Sequence, residues 1–159
     1  MLEAVLAEDP HISISLLEAE RQSPSYTIET LRELYQRVGH HQYSLIIGAD
    51  SFMEIDLWYK YEDIFDLAHL IVAARPGISR FDIADQVSAL PGRFSYDSKE
   101  QVWTRADNFR IIYLENIQIE LSSSDLRKFL REDRDVKGLL PPEVFDYIHE
   151  HKLYGVSHV

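Results

Sequence analysis

An α/β fold with a mostly parallel sheet is predicted by three observations. Apolar runs of strand length alternate with segments of helical spacing, turns bearing glycine, serine or arginine follow several of those strands, and 45% hydrophobic content in 159 residues suffices for one globular core. Ile12, Ile14 and Leu16 alternate with Ser13, Ser15 and Leu17 and predict a first strand. Ile28, Leu31, Leu34, Tyr35 and Val38 then recur at helical spacing until Gly39 ends the helix. Tyr43 to Ile47 reads as a buried strand, a short helical stretch runs through Trp58 to Phe65, and His69 to Ala74 is a second apolar strand closed by Arg75-Pro76-Gly77. Residues 78 to 90 are weakly helical. Pro91-Gly92 opens a polar stretch to Asn108 that suits a loop or a small hairpin, and Arg110 to Leu114 is a strand leading on through Ile117 and Ile119. Two helices close the chain. The first shows Leu126, Phe129 and Leu130 on one face; the second starts at Pro141-Pro142, with Phe145, Tyr147 and Ile148 directed inward.

Charge and composition exclude several classes of function. With 16 Lys+Arg against 27 Asp+Glu the formal charge is -11, which repels a nucleic-acid backbone, so any anion site must be local. The absence of cysteine excludes disulfides and thiolate metal sites, and no apolar span marks a membrane segment. The expectation is a cytoplasmic protein, folded as one domain over residues 1–159.

In a parallel sheet, ligands bind outside the carboxyl ends of the strands. Residues 23–27, 48–50, 75–76 and 122–124 all follow predicted strands, which would bring four distant loops to one rim. Each admits two readings. Leu121-Ser-Ser-Ser-Asp125-Leu-Arg127 offers free amides, a helix dipole and an arginine one turn in, suited to phosphate, or it is an ordinary capped helix. Gly48-Ala49-Asp50 lets a ligand approach the backbone while Asp50 accepts ribose hydroxyls, or Asp50 caps the next helix. Trp58 and Tyr59 either stack on a flat heteroaromatic ring or belong to the core. Ser25-Tyr26-Thr27 caps a helix or presents free amides, and Arg75, held extended by Pro76, meets an anion or solvent. His40-His41 at a helix end suits the helix dipole, and His149 and His151, two apart, face opposite sides of a helix; neither pair makes a metal site.

Taken together, these segments resemble bacterial nicotinate-nucleotide adenylyltransferases. Ser25 to Leu31 is similar to the family's Ser-Tyr-Thr-x-x-Thr-Leu, Ile47 to Phe52 to its Gly-x-Asp segment, and Leu57-Trp58 to its following tryptophan. Further on, His69 to Val72 with Arg75-Pro76-Gly77, Ser122 to Arg127 (Ser-Ser-Thr-x-x-Arg in the family) and Leu140 to Tyr154 match in the same order. The resemblance implies a Rossmann-like nucleotidyltransferase fold with a C-terminal helical end. It also implies transfer of the AMP moiety of ATP to nicotinate mononucleotide, giving nicotinate adenine dinucleotide and pyrophosphate in NAD biosynthesis, aided by Mg²⁺ on ATP. By the same carry-over, Thr27, Trp58 and Tyr59 hold the nicotinate part and Arg75 helps with the mononucleotide. Gly48 and Asp50 take the ribose and adenine side, and Ser123, Ser124 and Arg127 the ATP phosphates.

The family's first strand, glycine-rich turn and His-x-Gly-His motif have no counterpart within residues 1–159. No catalytic residue is therefore identified, and the expectation is an N-terminally truncated, incomplete fold with impaired catalysis. Loss of a central strand and its helix predicts uncovered strand edges and self-association, as a homo-oligomer. Two alternatives follow: a non-catalytic nucleotide-binding or interaction module derived from that fold, and a related adenylyltransferase acting on phosphopantetheine, against which Trp58 and the Ser-Tyr-Thr segment argue.

Overall fold

The computed structural model describes residues 1–6, 9–22, 24–117, 122–136 and 138–155. Ser23, Ile119 and Leu121, which figure in the sequence analysis, lie outside the described residues. The chain forms two compact units, one of residues 17–119 and one of residues 1–16 with 120–159.

The larger unit holds the sheet. Helix α2 (Thr27–Val38) buries Ile28 and Leu31 and ends at Gly39, whose φ of 111° is a conformation that favours glycine. Strand β1 (Tyr43–Gly48) passes directly into the short α3 (Ala49–Met53); a single 3₁₀ turn (Ile55–Leu57) and α4 (Tyr61–Ile64) follow. Strand β2 (Ala68–Ala73) leads to α5 (Arg80–Ala89), whose start is fixed by reciprocal hydrogen bonds between Ser79 and Asp82. The polar stretch resolves into an antiparallel hairpin, β3 (Phe94–Asp97) and β4 (Val102–Arg105), and β5 (Arg110–Leu114) completes the sheet.

The strand order is β1-β2-β5-β4-β3. β1, β2 and β5 run parallel, with Ile46 opposite Ile71 and Ile71 opposite Ile112, so Gly48, Ala73 and Leu114 end together at one rim. β4 runs antiparallel to β5 and carries Arg105 back to the opposite, amino end. Ala68, Leu70 and Val72 alternate on the buried face of β2 and pack with Phe52, Ile55, Ile64, Ile83 and Ile111, each of these five fully shielded. Burying a side chain of this size stabilises the fold by roughly 1.5–3 kcal/mol.

The smaller unit is helical among its described residues. It contains α1 (Leu2–Leu6), α6 (Ser123–Arg131), α7 (Pro142–Glu150) and a final 3₁₀ turn (Leu153–Gly155), with α1 packed on α7. Leu130, Val136 and Ile148 form its core, flanked by Leu126, Phe129, Val144 and Phe145. Tyr147 departs from the expectation of an inward side chain, because it stacks on His151 with ring centroids 3.9 Å apart while Val144 packs on the core.

One expected strand is absent. Residues 12–16 are not paired in any sheet, and Ile12, Ile14 and Leu16 are 50%, 38% and 58% exposed. Alternation supplies a strand-like pattern, but a strand forms only by pairing with a partner edge, and among the described residues 12–16 make no such pairing.

Candidate active site

Gly48, Asp50 and Arg75 meet at the carboxyl end of β1 and β2. Arg75 Nε lies 3.5 Å from Asp50 Oδ1, and the two side chains are 52% and 63% exposed, so both groups face solvent while loosely paired. This contradicts the reading of Asp50 as a helix cap: Gly48 is the N-cap of α3, and no side chain caps that helix. The backbone of Gly48 is unstrained at φ −72°, so its need for glycine comes from space. A Cβ there would sit 2.2 Å from Asp50 Oδ1 and 2.9 Å from Arg75 Nε. Glycine therefore lets the carboxylate fold back over the strand end, within reach of the guanidinium.

Thr27, Trp58 and Tyr59 share a cavity of about 270 Å³, lined also by Ser25, Tyr26 and Leu57. Trp58 is half-buried and packs on the core, whereas Tyr59 is exposed and lies against Tyr26 with ring centroids 4.6 Å apart. The core reading holds in part for Trp58, while Tyr59 stays on the surface. Ser25, Tyr26 and Leu57 are the walls of this cavity missing from the sequence-derived site residues; their places beside Thr27 and Trp58 were the available signal. Tyr26 is also the N-cap of α2 and makes no side-chain cap bond, while the Ser25 hydroxyl donates instead to the Glu18 carbonyl at 3.4 Å. Among the described residues, therefore, neither Ser25 nor Tyr26 caps the first turn of α2 with its side chain, contrary to the capping reading.

Ser123, Ser124 and Arg127 lie together on the first turns of α6, in the smaller unit. Here the ordinary cap is present: Ser122 and Asp125 form a reciprocal box, with the Ser122 hydroxyl donating to the Asp125 carboxylate at 2.6 Å and the Asp125 amide donating to the Ser122 hydroxyl at 3.0 Å. Those bonds, from Ser122 above all, hold the Asp125 carboxyl below its ordinary range. Arg127 donates to the Ser124 hydroxyl at 3.3 Å, and both side chains belong to exposed residues. Ser123 and Arg127 also line a cleft of about 140 Å³ with Leu126, Val144 and Ile148.

The histidines behave as helix-end and stacking groups. His41 Nε2 is 3.2 Å from the Val38 carbonyl, His40 contacts Tyr35 edge-on, and His149 and His151 stack separately on Phe145 and Tyr147. Among the described residues no group of three His, Asp or Glu converges to hold a metal ion, and no helix is long and apolar enough to cross a membrane.

A parallel sheet with its glycine, acid and arginine at the carboxyl rim defines a nucleotide-binding class of α/β protein, and the sequence model of the cytidylyltransferase-like family matches residues 1–129. A probable nicotinate-nucleotide adenylyltransferase of Geobacter metallireducens is 33% identical over 155 residues, covering 97% of this chain and 72% of the relative. Its counterparts in Citrifermentans bemidjiense and Methylococcus capsulatus are 34% and 32% identical, over 97% and 98% of this chain and 72% and 73% of theirs. The chain belongs to the nicotinate-nucleotide adenylyltransferase family. Its fold is similar to that of a Plasmodium falciparum nicotinic acid mononucleotide adenylyltransferase solved in complex with APC. That likeness has a TM-score of 0.59 at 19% identity and covers 99% of this chain and 74% of the other.

Proposed function

We propose that this chain binds ATP and nicotinate mononucleotide and transfers the AMP moiety of ATP to the mononucleotide, releasing pyrophosphate. The observation that carries the reading is the pairing, within one unit, of an aromatic cavity at an uncapped helix start with an exposed acid and arginine at the strand rim. The aromatic walls suit a flat pyridine ring, and Arg75 suits the mononucleotide phosphate. In the larger unit, Asp50 accepts ribose hydroxyls of ATP and Gly48 admits the nucleotide to the backbone; in the smaller unit, Ser123, Ser124 and Arg127 at a helix start suit phosphate.

In the reaction an oxygen of the mononucleotide phosphate attacks the α-phosphorus of ATP in line. The new P–O bond forms as the bond to the β-phosphate bridging oxygen breaks, and the electron pair leaves with pyrophosphate. No covalent protein intermediate is needed, so the side chains act by alignment and charge stabilisation. Mg²⁺ would arrive on the ATP phosphates rather than in a protein cage, since it retains water and substrate oxygens, and would supply charge neutralisation there. The family relationship favours this enzyme reading over a non-catalytic module. We place the activity in the cytoplasm and expect self-association at the outer edge of β1, where Ile46 is 69% exposed.

Calorimetry with each substrate, followed by chromatography for the dinucleotide product in the presence of Mg²⁺, tests the proposal. Binding of ATP and of nicotinate mononucleotide, each weakened by Asp50→Asn or Arg75→Ala respectively, is the expected result. A chain that binds neither ligand overturns it.

A further inference from the structure

The loop entering α2 is fastened to that helix by one arginine and one glutamate. Arg21, with its side chain only 14% exposed, donates from Nη2 to Glu33 Oε2 at 2.7 Å and from Nη1 to the Thr30 hydroxyl at 3.2 Å, and lies 4.0 Å from Glu29. The same Thr30 hydroxyl donates to Glu18 Oε1 at 2.6 Å, and the Glu18 carbonyl accepts from Ser25. Glu33 is drawn further into the cluster by Arg37 at 2.5 Å, and its carboxyl is held below the ordinary range, first by the hydrogen bond from Arg21. The planar guanidinium thus spans two successive turns of one face of α2, an arrangement that lysine cannot reproduce.

This fastening stands where a side-chain cap is missing. The Tyr26 N-cap contributes no side-chain bond, yet its carbonyl accepts the Glu29 and Thr30 amides at 2.9 and 3.2 Å. The position of Tyr26, and with it the contact to Tyr59 across the aromatic cavity, is therefore set by how residues 17–22 and 24–26 are held against the helix. Arg32, on the same helix, is different: its 2.6 Å pair with Asp63 is about half exposed on both sides, and neither residue lines the cavity.

We infer that Arg21 is a positioning residue for the aromatic cavity: it locks the loop to α2 and so fixes Tyr26 opposite Tyr59 in the geometry that receives the ring of the mononucleotide. This inference rests on the proposed function for the identity of the ligand, but its structural half is readable without one.

The test compares Arg21→Met with Arg32→Ala in two measurements on the full chain. In amide hydrogen exchange without ligand, Arg21→Met should speed the Glu29 and Thr30 amides by about tenfold while the Leu70 amide in β2 is unchanged. In calorimetry, Arg21→Met should weaken nicotinate mononucleotide by about tenfold and ATP by less than twofold, with Arg32→Ala like the parent in both. Unchanged Glu29 and Thr30 exchange, acceleration shared equally with Leu70, or equal losses for both substrates would each overturn the inference. A parent chain that fails to bind the mononucleotide overturns the functional reading instead, and the exchange arm alone then decides whether Arg21 positions the loop.

Discussion

The two ends of the parallel strands in the larger unit use the same residue types in opposite ways. At the amino end Arg105 makes a two-pronged contact with Asp107, Nε to Oδ1 at 2.9 Å and Nη2 to Oδ2 at 2.6 Å. Its guanidinium sits 5.2 Å above the Phe109 ring, which in turn stacks on Phe65 at 4.6 Å. At the carboxyl end Asp50 and Arg75 are more than half exposed and 3.5 Å apart. A charge pair packed on aromatic rings is committed to the fold, whereas a loose exposed pair contributes little to stability and gives up little when a ligand takes its members. Charge at the amino end is therefore structural, and charge at the carboxyl end is available for binding.

The most demanding way to break this contrast is Phe109→Ala. Phe109 is 3% exposed and contacts Phe65, Phe94 and His69, so its truncation should cost about 3–5 kcal/mol in urea unfolding. A loss below about 1 kcal/mol would mean that the amino end is not a structural anchor. Gly48→Ala sharpens the contrast from the other side. Its new methyl displaces the Asp50 carboxylate without backbone strain, so stability should move by less than about 0.5 kcal/mol while ATP binding weakens roughly 10–100-fold. Retained ATP affinity would remove Gly48 and Asp50 from the site. Arg75→Ala should be milder, weakening the mononucleotide about tenfold in calorimetry and leaving the unfolding midpoint in place.

Much of this organisation was legible beforehand because buried parallel strands leave contiguous apolar runs; Tyr43 to Ile47 and His69 to Val72 are such runs and pair in register. Gly39 as a helix stop and an ordinary cap at the start of α6 were equally readable, since both are local chemistry. Residues 12–16 misled because alternation reports a strand-like surface but not the presence of a partner edge. Candidate site residues came as short motifs, but their spatial arrangement did not. Nothing local to Gly48 reveals that Asp50 folds back over it or that Arg75 arrives from the next strand end. The cluster of Phe65, Arg105, Asp107 and Phe109 was invisible for the same cause, because antiparallel return of β4 is what carries Arg105 to the aromatic pair.

The finest test of the contrast is the pH dependence of stability, where the amino end should respond in two windows. Asp107 is lowered from 3.8 to about 2, chiefly by the hydrogen bond from Arg105. A carboxylate depressed in the folded state favours folding when ionised, so its contribution is complete above about 4 and is lost as the pH falls toward 2. His69 moves in the other window: burial first, then Arg110, lowers its pKa, and its Nδ1 accepts the Arg110 amide at 3.3 Å, which requires the neutral ring. The unfolded chain therefore takes up this proton first, and stability declines as the pH drops below about 6.5. In urea midpoints measured from pH 8 to 3, His69→Gln should flatten the upper part of the curve and Asp107→Asn the lower part, each as a difference from the parent chain. Both steps should be modest, because Asp107 is half exposed and solvent screens its pairing.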